Sequence, residues 1–512
     1  MKNPQSRTTN PVPRLLLVIL LFTPTESVLV AEVDERTGIW RAVTNDVYIV
    51  ISGDRVSYYE TTKGNEEVGS RATCILVKSN DSRGELEFSI PERADDFTTV
   101  SATELTYDSP GNLYPVSVFR APSLPRSCAN ALTMREEYHH DPELDFDIVW
   151  NQLNDNYAFF AYRGISQQKW NQVYRQYRPK ALASEHGEAL FAVFSAMLGS
   201  TFNEREHDGE TMRGDEHIQL SAASEEWNFS IESPGDYRRG RAVLTNPLDG
   251  YLKDRIDDAA FEPLVNRGAI WGIYSTFSKL KGSRTGHLLL NSMIDFNPND
   301  SLATGIEDFG VQHSAVTTWM EQVMELANRH HLDRIVVDVR NNLGGFDQIA
   351  LLIAGYFADQ PRLALVKQVR TGGTIDSPEL SVPHRELVHP NRTGFAGKVV
   401  VLISRHTVSA GETFALAMAQ FPHVHLIGES TAGSLSDVLQ RHTGNGWVLS
   451  LSNEVFHNPA AGQYSFGSAL EGKGVQPGKY VFYDAMSHFA TGNEEDSMLD
   501  VALTTVLPEH EK

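Results

Sequence analysis

The sequence predicts an α/β fold, with a largely parallel sheet covered by helices on both faces and preceded by a helical unit and a small β unit. Three observations carry this. Beyond residue 280, apolar runs such as "DRIVVDVR", "KVVVLIS" and "VHLIGES" alternate with longer segments of helical period. That is the pattern of strands buried on both faces and joined by crossover helices. From Asp141 to Ser200 apolar residues recur at helical spacing, and before residue 130 β-branched and aromatic residues gather in short runs between turn residues. The 512 residues, 41% of them hydrophobic, are ample for about two to four domains.

The elements follow in order. Lys2, Arg7 and Arg14 precede the apolar run Leu15–Phe22, and small residues recur up to Ala31. A basic region, a short apolar run and a cleavage site describe a secretory signal peptide over residues 1–31. The run is too short for a bilayer, which takes about 20 residues, and Pro11, Pro13 and Pro24 argue against a buried strand. No later segment is apolar and long enough for a membrane helix. An exported protein is expected, periplasmic or extracellular.

Residues 32–130 read as a small β domain. The segment "DVYIVISGDRVSYYETT" gives strands at Val47–Ile51 and Val56–Tyr59 around an "SGD" hairpin turn. "CILVK" and "ELEFSI" supply further strands. Cys74 and Cys128, 54 positions apart (128 − 74), are the two cysteines of the chain. An exported protein permits one bridge between them, with two buried free thiols as the alternative.

Residues 141–225 read as a helical subdomain. Phe146, Val149, Trp150, Leu153 and Tyr157 share a helix face, "EALFAVFSAMLGS" is a second helix, and "NYAFFAYRG" is aromatic core between them. "FNEREHDGETMRGDEH" is a loop by composition. Residues 226–512 form the α/β core.

A formal net charge of −22 without a Lys/Arg-rich run argues against nucleic acid or an anionic membrane as the main partner. The chemistry concentrates at two strand-to-helix junctions. In "DVRNNLGGFDQ" the paired glycines permit a tight turn whose N–H groups could face an anion. In "SRHTVSAGE", Ser409 stands between a strand and an apolar helix. Ser409 with Glu412 also matches a capping box, so a helix cap is the alternative to a nucleophile. Dinucleotide, P-loop and G-x-S-x-G patterns are absent. No metal-ligand spacing such as H-E-x-x-H occurs either, so no catalytic metal and no cofactor are expected.

In series, "VVDVRNNLGG", "SRHTVSAGE", "LIGESTAG" and "EGKGVQP" resemble the hallmarks of the tail-specific, or carboxyl-terminal processing, serine peptidases, a group that includes tricorn core protease. The resemblance is good over residues 286–480 and recognisable over 146–220. It implies a core related to crotonase and Clp protease. It makes Ser409 the nucleophile, and the N–H groups of Ala410 and Gly345 (favoured over Gly344) the oxyanion hole. Ser434 stands where the processing proteases carry their Lys base. The tricorn-like branch uses an upstream His, and "RGDEHIQL" makes His217 the best match, ahead of His207, His287 and His406. Glu471 matches the Glu that supports that imidazole, with Asp215 and Asp437 as fallback carboxylates. Lys473 beside Glu471 raises a plain surface ion pair as the alternative. The peptide-tethering PDZ insertion of the family is missing, since only about 70 residues separate His217 from Gly286.

The function these residues imply is an exported serine peptidase that cleaves peptide or protein substrates through an acyl-enzyme. A non-catalytic peptide- or lipid-binding protein on the same scaffold is the alternative. The sequence carries no signal for the oligomeric state.

Overall fold

The computed structural model describes residues 34–506 other than 45, 80–90, 92, 109–114, 136–137, 208–209, 213, 223–226, 232–243, 245, 249–251, 298–308 and 484–495. The expected signal segment and the expected strand "ELEFSI" lie outside these residues. From Glu35 to Lys512 the chain clusters as one compact unit.

The predicted core is built on a seven-stranded sheet. Thr285–Leu290, Arg334–Asp338, Lys398–Ile403, Val424–Gly428 and Lys479–Tyr480 run parallel in that spatial order. Two antiparallel strands, Leu264–Arg267 and Tyr274–Lys279, complete one edge. Alternation sends Ile335, Val337, Val399 and Val401 into one hydrophobic cluster and Val336, Val400 and Leu402 into another. Both faces are therefore dry, which is why these strands read as unbroken apolar runs.

Seven helices of eight or more residues stand among the described residues. Helix α1 (Pro142–Asn156) starts at Asp141, whose carboxylate accepts the Leu144 N–H, with Pro142 at its first position. Helices α2 (Gln167–Leu182) and α3 (Gly187–Phe202) pack beside it around stacked Trp150 and Trp170, with ring centroids 5.5 Å apart. Helices α4 (Phe309–Arg329), α5 (Asp347–Gly355) and α6 (Ala410–Met418) cover one face of the large sheet, and α7 (Ser497–Thr504) covers the other.

An eight-stranded sheet occupies the N-terminal part, from Gly38–Ala42 to Leu132–Thr133. Within it Val47–Ser52 and Arg55–Thr61 form the expected hairpin. Cys74 and Cys128 are joined by a disulfide, with Cα atoms 5.0 Å apart. One expectation fails. "FNEREHDGETMRGDEH" is not all loop, because Arg205–His207 pairs with Glu210–Met212 as a short hairpin. Its polar composition carries none of the alternating apolar pattern by which strands are read from sequence.

A second small sheet positions the site. Its order is Trp227–Ser230, Gln219–Ala222, Val448–Ser452, Val438–His442, so a strand that follows the helical unit is paired with strands near the C-terminus. Val438–His442 is an edge. It is tied to the N-terminal sheet by Arg441, whose Nη2 donates to Asp46 Oδ1 at 2.8 Å, and by the His442 N–H, which donates to Glu60 Oε2 at 2.7 Å.

Candidate active site

Ser409 sits where the strand Lys398–Ile403 hands over to α6. Its backbone lies at φ 52°, ψ −129°, a left-handed region that non-glycine residues avoid. Its side chain caps nothing. Glu412 faces elsewhere: Oε1 accepts the Thr431 hydroxyl and the Gly433 N–H, and Oε2 accepts the Ser434 N–H at 2.7 Å. The capping box is not formed. Ser409 is held instead by its own N–H, which donates to Ser434 O at 2.9 Å.

The glycine turn is pressed against this serine. A Cβ added at Gly344 would lie 2.6 Å from Ser409 Cβ and 3.1 Å from its Oγ. The Gly344 N–H is spent on Asn342 Oδ1 at 2.9 Å. Met293 receives the Phe346 N–H at 3.1 Å and donates to Gly344 O at 2.7 Å. The Gly345 N–H donates to no acceptor among the described residues. The Ala410 N–H, at the first position of α6, is one of the helix's unsatisfied donors. These are the two N–H groups assigned to the oxyanion hole.

His217 is buried, and its Nδ1 lies 3.2 Å from Ser452 Oγ. Ser452 in turn donates to Asp215 Oδ1 at 3.1 Å. A hydroxyl that donates to a carboxylate has only lone pairs left, so the neutral ring gives its Nδ1–H to Ser452 and keeps its own lone pair on Nε2. Asp215 Oδ1 also accepts the His217 N–H at 3.1 Å, while Oδ2 accepts Tyr157 OH at 2.8 Å. Arg163 Nε donates to Tyr157 OH at 2.7 Å, and burial holds this phenol well above its ordinary pKa.

Glu471 stands beside this chain. Its Oε2 accepts the N–H groups of Leu435 and Ser436 at 3.0 and 3.2 Å. Burial, reinforced by Asp215 and Glu412, pushes its pKa well above the usual carboxyl range. Donor atoms of Asp215, His217 and Glu471 lie within 4.8 Å of one another, close enough to bridge a cation. Both oxygens of Asp215 and one of Glu471 are already committed to protein hydrogen bonds.

The loop 431–437 joins the two halves. Ser434 holds Ser409, Leu435 and Ser436 hold Glu471, and Asp437 begins the approach to the edge strand. Among the described residues no hydrogen bond links Ser409 Oγ to His217. Asp437 lies outside the chain around the imidazole and accepts Lys367 Nζ at 2.6 Å, and Lys367 also meets Glu454 at 2.7 Å. Burial raises Asp437, but the ammonium outweighs it and the net shift is down. Burial takes Glu454 up to about 8 against the same ammonium.

The rival residues sit elsewhere. His287 lies 3.4 Å from Asp338 in the core, where Arg340 bridges Asp338 and Asp496. His406 is buried beside Tyr483, with ring centroids 6.4 Å apart. The backbone of His207 is in the short hairpin, and its side chain lies outside the described residues. Lys473 is exposed and donates to Gly467 O at 2.9 Å, while Glu471 is buried, so the surface ion pair is not formed. The sequence reading missed Ser452 and the part played by Tyr157. No local signal marks Ser452, which lies 235 positions from His217.

Comparison with known proteins gives the following similarities. The profile of peptidase family S41 matches residues 303–480, and that of the tricorn protease C1 domain matches residues 138–199. A carboxyl-terminal-processing protease of Picosynechococcus sp. is 24% identical over 280 residues, covering 54% of this chain and 58% of that protein. A candidate peptidase from Parabacteroides merdae shares the fold with TM-score 0.50 and 18% identity, over 71% of this chain and 96% of that one. The photosystem II D1 C-terminal processing protease aligns at TM-score 0.37 and 13% identity, over 67% and 94% of the two chains. Both matches fall in chain order, and the larger one, residues 303–480, holds the Ser409 and glycine junctions, so that this region of the chain is similar to peptidase family S41.

Proposed function

We propose that this protein hydrolyses peptide bonds through an acyl-enzyme on Ser409, with His217 as the base. In the first step Ser409 Oγ attacks the scissile carbonyl and its proton passes to His217 Nε2. The carbonyl oxygen, now an oxyanion, is received by the N–H groups of Gly345 and Ala410. The imidazolium then protonates the leaving amine, and water repeats the sequence to release the acid. Ser452 and Asp215 hold the ring in the tautomer this requires. Glu471 shapes the loop 434–436 beside the ring. Hydrogen bonds to a nucleophile are often absent without substrate and close when it binds.

The observation that carries this reading is Ser409 itself. A strained, uncapped serine directly precedes the unclaimed Ala410 N–H and packs against the glycine turn that carries the unclaimed Gly345 N–H, where a cap would have used its hydroxyl. The substrate is a peptide or protein. We also propose that the protein is exported to the periplasm or the cell exterior, a reading supported by the basic and apolar start of the chain and by the disulfide. No helix among the described residues is long and apolar enough to cross a membrane.

The test is covalent labelling with a fluorophosphonate probe, followed by peptide mapping. The expected adduct is on Ser409. Ser409→Ala and His217→Ala are each expected to lower peptide cleavage by about 10⁴-fold, because such residues act as a unit. An unlabelled Ser409 in folded protein would instead favour a binding protein.

A further inference from the structure

A cavity of about 540 Å³ lies between the N-terminal sheet and the peptidase core. Val43, Val47, Val116 and Phe119 line it from the sheet, and Val382 and Val438 line it from the core. Its floor holds Lys367, Asp437 and Glu454, an ion cluster that largely cancels its own charge.

One margin of this cavity is an open strand edge. The Thr443 N–H donates to Trp447 O at 2.9 Å, which fixes the alternation of the ladder between Val438–His442 and Val448–Ser452. Residues 439 and 441 bond inward, so Val438, Gln440 and His442 turn their backbone groups outward. The outward His442 N–H is taken by Glu60, and Gln440 O accepts Arg441 Nη1 at 2.7 Å. The N–H groups of Val438 and Gln440 donate to nothing among the described residues. Spaced two residues apart on one edge, they have the spacing an added strand needs.

Two further observations point into the same space. Asn453 lines the cavity, is only 3% exposed, and its Nδ2 has no partner among the described residues. Val438 is paired across the ladder with Ser452, the residue that orients His217. The open edge therefore begins one rung from the base.

We propose that this cavity receives an extended polypeptide as an added strand on Val438–Gln440, with the N-terminal sheet as the opposite wall and an apolar side chain of the substrate seated among Val47, Phe119 and Val382. In this chain the N-terminal sheet is thereby a substrate-recognition element. Asn453 donates to a carbonyl of the bound peptide. The apolar side chains Val47, Phe119 and Val382 favour an apolar substrate residue at that position, while Glu104, His384 and Arg441 lie elsewhere on the lining. The proposal rests on Ser409 and His217 as the reacting pair.

The deciding experiment uses full-length Ser409→Ala protein and a decapeptide of apolar sequence carrying p-benzoylphenylalanine. Crosslinks are expected within residues 43–47, 116–119 and 382, and should be competed by the same peptide without the photoprobe. Crosslinks mapping to another surface would overturn the proposal. In parallel, Gln440→Pro removes an outward N–H without removing a ladder bond, and Val116→Glu places a charge on the opposite wall. Each is expected to lower kcat/KM for a long apolar peptide by about tenfold or more, mainly through KM. Val265→Glu, exposed and outside the cavity, should cleave like the parent. Fluorophosphonate labelling separates the two readings. A parent that does not label sinks the Ser409 mechanism, while Gln440→Pro and Val116→Glu proteins that label and cleave like the parent sink the cavity assignment. Should those variants not fold, the crosslink map alone decides.

Discussion

At Ser452 one hydroxyl decides which nitrogen of His217 is available. Ser452→Ala removes the acceptor of the Nδ1–H and frees the ring to adopt the other tautomer. We expect kcat to fall by about 10²–10⁴ with little change in KM, a range bounded by what wrong-tautomer variants of comparable sites lose. Ser452→Thr, which keeps the hydroxyl, should recover most of it, and steady-state kinetics on one peptide distinguishes the three proteins. Glu471→Gln should cost less than either, since its Oε2 holds backbone N–H groups rather than the ring. In the sequence, the family resemblance pointed to Ser409 and His217, while the residues around Ser409 by themselves allowed a helix cap as well. The orienting hydroxyl was not legible, because the second of two serines in the run "VLSLS" carries no local signal of a partner 235 positions away.

Among the elements, the loop 431–437 matters most, and one carboxylate holds it. Glu412 is wholly buried and accepts from the Thr431 hydroxyl and from the N–H groups of Gly433 and Ser434. Glu412→Ala would strand three buried donors, and we expect a loss of about 3–5 kcal/mol of stability, read by chemical unfolding, together with slower labelling of Ser409. Asp437 at the end of this loop adds a pH dependence through the proton it shares with Glu454, the first residue of the strand Glu454–His457. Glu454 is raised by burial to about 8 in the folded protein, well above the ordinary glutamate range. Its contribution is therefore full below the unfolded value and is lost as pH rises from there through about 8. Glu454→Gln cannot ionise, so its melting temperature should match the parent near pH 5 and exceed it above pH 8. A thermal melt series across that window checks this. Element legibility followed the same physics. The parallel strands announced themselves because both their faces are dry. Arg362–Gly373 and Val438–His442 did not, because Lys367, Arg370 and Arg441 are buried with partners and break the apolar pattern.

For the whole molecule, the N-terminal sheet is tied to the rest of the chain through Asp46 and Glu60 to Arg441 and His442, and through Ser70 and Arg71 to Asn151 and Asp147, and its own integrity rests in part on one covalent link. The disulfide closes a loop of 54 residues, for which chain entropy implies about 4 kcal/mol. We expect Cys128→Ser, or reduction of the parent, to lower the melting temperature of the sheet while Ser409 still labels in whatever fraction remains folded. Differential scanning calorimetry with and without reductant measures it. The α/β class was visible in hydrophobic period alone. That the N-terminal sheet leans on the edge strand beside the base was not, because Asp46 and Arg441 are 395 positions apart.

The backbone of Ser409 carries one more consequence. At φ 52°, ψ −129° a side chain costs about 1–3 kcal/mol over glycine. Ser409→Gly should therefore melt higher than both the parent and Ser409→Ala, although it cannot form an acyl-enzyme. A population selected only for robustness would drift toward glycine here and fall silent. A serine here trades that stability for the hydroxyl the proposed acyl-enzyme would need.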